Sequence, residues 1–192
     1  TEDKPHIIHQ SSATGMQSIP TTGLAQGVQY LEQHLPHLLK KGNSNENPVV
    51  LCSFGDYSIT EGEVSEALQF AVLKQLPIIY LVQDNHWGIS ATAAEGRAMN
   101  AYEFSEGFKG LHRVKVDGSV FEHSYGVMSY AVNYVRKERK PVLVHATAPL
   151  LNHHTSGVRK ESYRTKEDLE KHEAHDPSIN ERKSLGQSGV TE

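Results

Sequence analysis

At 192 residues with a net charge of −4, the chain is long enough for one domain with a real core, and its acidic balance argues against nucleic acid as the main partner. One cysteine excludes an intrachain disulfide framework and fits a reducing compartment; no run of about 20 apolar residues is present to span a membrane. A hydrophobic share of 37% and a mean hydropathy of −0.51 are low for a self-sufficient domain, so part of the surface is expected to be covered by another chain or by further sequence. Thr1-Glu2-Asp3, with no initiator Met and no signal peptide, reads as cut from something longer.

Residues 1–20 are polar. Leu24, Val28, Leu31, Leu35 and Leu38 recur at helical spacing and predict a helix over 21–41, kinked or shortened by Pro36. Gly42 to Pro48 reads as an exposed loop. Val49 to Ser53 is a continuous apolar run, the pattern of a strand buried on both faces. Thr60 and Glu63 predict a capping box, and Val64, Ala67, Leu68, Ala71 and Val72 form the stripe of the following helix, which Pro77 stops. Ile78 to Val82 is a second buried strand, His112 to Val116 a third, and Val142 to Ala146 a fourth. Between the last two, Ser119 and Glu122 predict a capping box, with Phe121, Tyr125, Met128, Ala131, Val132 and Val135 as the helical stripe. Lys137, Arg139 and Lys140 close that helix as favourable charges on its dipole. A short charged helix is expected over 165–175, and a loose segment from Ser184.

Strands alternating with helices predict an α/β fold, an open and mainly parallel sheet with helices on both faces. Ligands in such sheets bind outside the carboxyl ends of the strands. Asp56, Asn85 and Asp117 all fall there. Alone, an Asp after Gly is often a turn, and Asn is a common turn residue. At the ends of two neighbouring strands, a carboxylate and an amide oxygen suit a hard cation such as Mg²⁺, which takes about six oxygens and only one or two carboxylates. The Trp87 carbonyl lies within reach, and a helix start near Glu61 favours phosphate.

The stretch Gly55-Asp56-Tyr57, a spacer from Ser58 to Gln83, and Asp84-Asn85 resembles the thiamine diphosphate motif Gly-Asp-Gly … Asn-Asn. Thr60-Glu61-Gly62-Glu63, Leu76-Pro77, His86-Trp87-Gly88-Ile89-Ser90, Val116-Asp117-Gly118, His153-His154-Thr155-Ser156 and Tyr163-Arg164 extend the match. Together they resemble the alpha subunit of thiamine-dependent 2-oxo acid dehydrogenases, closest to the branched-chain (2-oxoisovalerate) type, over about residues 9–180.

The resemblance implies a thiamine diphosphate-binding alpha-like domain over 1–180, incomplete at its N-terminus, with 181–192 as a loose tail. It implies Mg²⁺ on Asp56, Asn85 and the Trp87 carbonyl, and diphosphate contacts from Tyr57, Ser58 and Gln83. Ser12 and Thr14 would border the cofactor beside a monovalent (K⁺) site, and His154 would stand by the thiazolium and substrate. The implied reaction is oxidative decarboxylation of a 2-oxo acid with acyl transfer to a lipoyl domain. A beta subunit or beta-like domain would complete the site in an alpha2-beta2 heterotetramer. The location would be cytoplasmic in a bacterium and the mitochondrial matrix in a eukaryote. Thr155 stands where relatives carry a phosphorylated Ser.

The departures are Tyr57 for the second Gly, Asp84 for the first Asn, and Gln83 where some members have Arg. Tyrosine is expected to narrow or strain the phosphate approach, and Asp84 to add negative charge near it. They keep open a non-catalytic, interaction or regulatory role on the same fold. A pyruvate dehydrogenase, another thiamine-dependent decarboxylase or a transketolase-like enzyme also remains, although the His154 loop speaks against the last two. Cys52 reads as core. His6/His9, His34/His37 and His172/His175 have helical metal spacing but no evident third ligand, and read as surface histidines.

Overall fold

The computed structural model describes residues 7–39 and 46–187. His6, the end of the expected first helix, most of the Gly42–Pro48 loop and the end of the expected tail lie outside the described residues. Among the described residues no helix is long and apolar enough to cross a membrane.

Strands β1 (Val50–Gly55), β2 (Ile78–Asp84), β3 (His112–Asp117) and β4 (Val142–Thr147) form one parallel sheet in the order β1-β2-β4-β3. The open α/β architecture is the one expected. Helices α1 (Ser18–His34) and α2 (Gly62–Lys74) cover one face, and α5 (Phe121–Glu138) covers the other. The alternation of a strand explains how β2 serves both. Ile78, Tyr80 and Val82 join Val64, Ala67 and Leu68 of α2, while Ile79 joins Val142, Val144 and Val135. Burying each such aliphatic side chain stabilises the fold by about 1.5–3 kcal/mol. Register pairs Gly55 with Gln83, so Asp56 and Asn85 leave neighbouring strands at the same edge.

Several local expectations are corrected. β1 is an edge strand: Cys52 and Phe54 are buried, but Leu51 is 51% exposed, because α5 covers only β2, β4 and β3. The buried positions of α1 are the small Ser18, Thr22 and Ala25, not the leucine stripe. Thr22 lies close to the sheet because its hydroxyl is hydrogen-bonded to the buried Tyr80 hydroxyl at 2.6 Å. α1 also begins at Ser18 and ends at His34, two residues before Pro36 opens a short 3₁₀ turn. Phe121 and Tyr125 are exposed, so only the later part of the α5 stripe reaches the core. Arg139 does more than oppose the helix dipole. It closes α5 at φ 51° and reaches Glu32 of α1 at 2.5 Å and the Pro48 carbonyl at 3.1 Å.

Neither predicted capping box forms. Thr60 donates instead to the Tyr57 carbonyl, within a 3₁₀ turn over Asp56–Thr60. Ser119 donates to Asp117, and Glu122 accepts from Ser184. The boxes that do form are Thr92 with Glu95 on α3 (Ala93–Gly96) and Asn100 with Glu103 on α4 (Ala101–Phe104). α6 (Lys166–Glu173) matches the short charged helix, with Thr165 accepting from the Asp168 N–H. α7 (Pro177–Gln187) was not expected, so residues 181–187 are helical rather than loose.

Candidate cofactor and metal site

A cavity of about 560 Å³ opens at the carboxyl ends of β1 and β2. Ser12, Thr14, Asp56, Tyr57, Ser58, Asn85, Trp87 and His154 all line it. These residues come from four separate stretches of chain. Gln83 is not brought in. Its neighbours Val82 and Asp84 point inward, so strand alternation turns Gln83 to the exposed side, where Ser53 donates to it at 3.4 Å.

Each wall has a local cause. The Ser11–Gln17 turn reaches the cavity through Gly15 at φ +81°, and a Cβ there would lie 3.0 Å from the Glu61 side chain. Asp56 opens the 3₁₀ turn that follows β1 and is 2% exposed. The Asn85 amide oxygen accepts from the Trp87 N–H at 2.9 Å, fixing its direction. The next turn closes with Ala93 N–H on the His86 carbonyl and Gly88 N–H on the Ala91 carbonyl, leaving the Trp87 carbonyl out of both bonds. The Trp87 ring packs edge-on against Tyr163 at 5.4 Å and under the Arg164 guanidinium. That contact fastens the 150–164 segment over the site. His153 accepts from the Lys160 N–H, leaving His154 as the histidine of that loop on the cavity wall.

The departures at Tyr57 and Asp84 have structural answers. The Tyr57 ring lies against the 88–96 loop, and its hydroxyl donates to the Thr92 carbonyl. Glycines make room for it: an added Cβ would fall 2.3 Å from the Tyr57 hydroxyl at Gly96 and 3.1 Å from its ring at Gly88. The expected obstruction is thus largely taken up by the loop. Asp84 is fully buried and does not itself line the cavity; its negative charge lies behind Asp56, where Arg97 and His145 offset it. Its Oδ1 accepts from Arg97 Nη2 at 2.7 Å and from the His86 N–H at 3.0 Å, and its Oδ2 accepts from His145 Nε2 at 2.8 Å.

Arg97 was missed by sequence reasoning. Its guanidinium is 5% exposed and also lies 2.9 Å from Asp56 Oδ2. Burial works against the Asp84 charge, but the His145 and Arg97 hydrogen bonds hold its carboxyl well below the usual range. Burial and the Asp84 charge push Asp56 the other way, up to about 6, despite Arg97 beside it. Asp56 Oδ2 is buried and has no hydrogen-bond donor.

Asp56 Oδ2 is thus taken up by the Arg97 ion pair, and the fit for a cation rests on the donor chemistry of the residues that line the cavity. Asp56, Asn85 and Trp87 all line that cavity, and a carboxylate, an amide and a backbone carbonyl left out of the turn's bonds are the kinds of oxygen a hard divalent ion prefers. Among the described residues no three His, Cys, Asp or Glu side chains converge as a metal set, so a cation here would draw on neutral oxygens. His172 is no surface histidine: it is 9% exposed and its Nδ1 accepts from the Leu150 N–H. Cys52 is core, its thiol pushed up to about 11 by burial.

The family model described as "Dehydrogenase E1 component" matches residues 1–192. The chain is 28% identical over 176 residues to the 3-methyl-2-oxobutanoate dehydrogenase subunit alpha of Mycobacterium tuberculosis, covering 92% of this chain and 44% of that protein. It is 30% identical over 141 residues to the pyruvate dehydrogenase E1 component subunit alpha of Rickettsia felis, covering 72% of this chain and 42% of that one. The chain thus spans under half the length of these relatives. The crystal structure of transketolase from Campylobacter jejuni superposes with a TM-score of 0.55 at 22% identity, over 69% of this chain and 20% of that one, a likeness of fold. With the family model covering every residue, the chain belongs to the dehydrogenase E1 component family.

Proposed function

We propose that this chain supplies the diphosphate- and metal-binding half of a thiamine diphosphate-dependent 2-oxo acid dehydrogenase. The observation that carries this reading is the convergence of Asp56, Asn85, Trp87, Ser58, Ser12, Thr14 and His154 on one cavity at the β1–β2 end. Asp56 and Asn85 would hold Mg²⁺ by side chain and Trp87 by its carbonyl, and the ion would supply positive charge to offset the diphosphate. Ser58 and the start of the 56–60 turn would meet the diphosphate. Ser12 and Thr14 would border the cofactor, with a K⁺ ion beside them. The cofactor, when bound, supplies the electron sink for decarboxylation.

The remaining chemistry belongs to the protein. Trp87, Tyr163 and Arg164 hold the 150–164 segment as a wall that limits water. His154 stands on that wall, where its ring nitrogen can orient the substrate and carry a proton during acyl transfer to a lipoyl domain. A beta subunit or beta-like domain would cover the open side of the cavity, in an alpha2-beta2 assembly. The 2-oxoisovalerate and pyruvate relatives both lie near 30% identity, and the His153-His154-Thr155-Ser156 loop favours a branched-chain substrate. The non-catalytic alternative rested on Tyr57 and Asp84. Their internal contacts with Thr92 and Arg97 weaken it.

The test uses the full-length protein with its partner, thiamine diphosphate and Mg²⁺. CO₂ release is measured from 2-oxoisovalerate, pyruvate and 2-oxoglutarate. Turnover of one of these, with 2-oxoisovalerate preferred, is the expected result. Cofactor binding without turnover on any 2-oxo acid would favour a non-catalytic role. His154→Ala is expected to abolish acylation of the lipoyl domain, and unchanged acylation would remove it from the site.

A further inference from the structure

Arg97 Nη2 is shared by two carboxylates, but unequally. It is 2.7 Å from Asp84 Oδ1 in a hydrogen bond, and 2.9 Å from Asp56 Oδ2 in an ion pair without one. Arg97 therefore bridges the two carboxylates, hydrogen-bonded to Asp84 and ion-paired through the same nitrogen with Asp56 Oδ2. The bridge is built from several sides. His145 Nε2 and the His86 N–H hold Asp84 in place, with His86 Nδ1 at 3.3 Å from Asp84 Oδ1. On the other side, the Thr92–Glu95 capping box and the Tyr57 ring, seated against Gly88 and Gly96, fix the loop that delivers Arg97. The Arg97 N–H closes that loop on the Ala93 carbonyl at 3.0 Å.

We infer that Asp84 acts as a positioning residue: by taking the hydrogen bond of the Arg97 guanidinium it confines that group to one oxygen of Asp56 and so keeps the other open for a divalent cation. This rests on the metal reading proposed above and adds a role that the motif does not predict. By the motif, Asp84→Asn would restore a favourable amide and improve the site. By the structure, it would release Arg97 to form a full pair with Asp56, placing a fixed cation where the metal belongs. Two like charges cannot share one carboxylate oxygen in a buried site without large repulsion.

The experiment is a double-mutant cycle in the full-length protein with its partner, read by Mn²⁺ titration with and without thiamine diphosphate, and by thermal unfolding without ligands. Asp84→Asn is expected to weaken Mn²⁺ binding about tenfold. Arg97→Gln leaves Asp84 buried with less compensation and is expected to lower the melting temperature by about 10 °C. The double variant removes both charges, and is expected to regain Mn²⁺ affinity within about twofold of the parent and most of the lost melting temperature. Asp84→Asn binding Mn²⁺ as tightly as the parent, or single effects that simply add, would overturn the inference. If Asp84→Asn alone is insoluble, recovery of soluble, Mn²⁺-binding protein in the double variant upholds it and failure to recover overturns it. A parent protein that binds no Mn²⁺ sinks the metal reading itself, and this inference with it. A parent that binds normally beside an indifferent Asp84→Asn variant sinks this inference alone.

Discussion

Two strands of this sheet end in superficially similar acidic turns, Gly55-Asp56 after β1 and Asp117-Gly118 after β3. The Asp117 turn is self-contained. Its Oδ1 accepts from both the N–H and the hydroxyl of Ser119, which hold its carboxyl below the usual range. Gly118 lets its N–H approach the Thr147 carbonyl at 2.7 Å, where a Cβ would also lie 2.7 Å from that oxygen. Asp56 has the opposite character. It is buried, one oxygen lacks a donor, and its nearest cation comes from a residue far along the chain. A strand-ending aspartate satisfied by its own turn is a structural device. One held by distant groups, at the wall of a cavity, is the kind on which the proposed cation site rests.

The sharpest way to break this contrast is Asp56→Asn. It is expected to weaken divalent-cation binding on the order of a thousandfold, measured by titration calorimetry. It is also expected to stabilise the ligand-free protein by about 2 kcal/mol at neutral pH. The sign follows from the raised value. The folded state keeps the Asp56 proton up to about pH 6, whereas the ordinary value is 3.8. Between those values the folded state binds more protons, so stability falls as pH rises through the window. Denaturant unfolding at a series of pH values should show that fall in the parent and lose it in the variant. An unchanged pH profile would mean that Asp56 is not buried in this way.

Trp87→Ala comes next. Removing a ring that is 7% exposed between Tyr163 and Arg164 should cost about 3 kcal/mol of stability. It should also raise hydrogen exchange across residues 150–164, and unaltered exchange there would show that the loop does not depend on the ring. Gly96→Ala should cost about 2 kcal/mol because its methyl meets Tyr57. In a Tyr57→Gly background the same change should be nearly neutral. Additive losses would mean that the two residues do not share space. The smallest effect is at the contrasting turn. Asp117→Ala should lose about 1 kcal/mol, with Mn²⁺ affinity untouched. The Asp117 value is depressed, so its contribution is present above the ordinary carboxylate value and fades as pH falls through the lower, folded one.

Much of this was legible from local pattern. Ile78 to Val82 read as a strand buried on both faces, and so it is, because an apolar run in a parallel sheet serves two cores. Asp56 and Asn85 were legible because a strand, a helix and a strand in parallel bring their ends together regardless of details. Capping was not. Thr60 to Glu63 and Thr92 to Glu95 have the same spacing, yet only the second forms a box. At the first, a 3₁₀ turn claims the Thr60 hydroxyl before α2 begins. Arg97 carried no signal beyond being an arginine in a small-residue segment, since its partners lie upstream in two separate places, Asp84 at the end of β2 and Asp56 in the turn after β1.

The order of apolar runs and breakers by itself determined the parallel α/β sheet and the edge at which Asp56 and Asn85 meet, because period and strand polarity are local properties of the chain. Tertiary structure alone decided where the charges and bulky groups came to rest. Gln83 turned away with strand alternation, the Tyr57 ring settled against two glycines, and the Asp84 charge was drawn into Arg97 and His145. Those outcomes depend on burial and on partners distant in sequence. A buried charge takes whichever counter-charge the fold brings within reach, and only the folded chain determines which one that is.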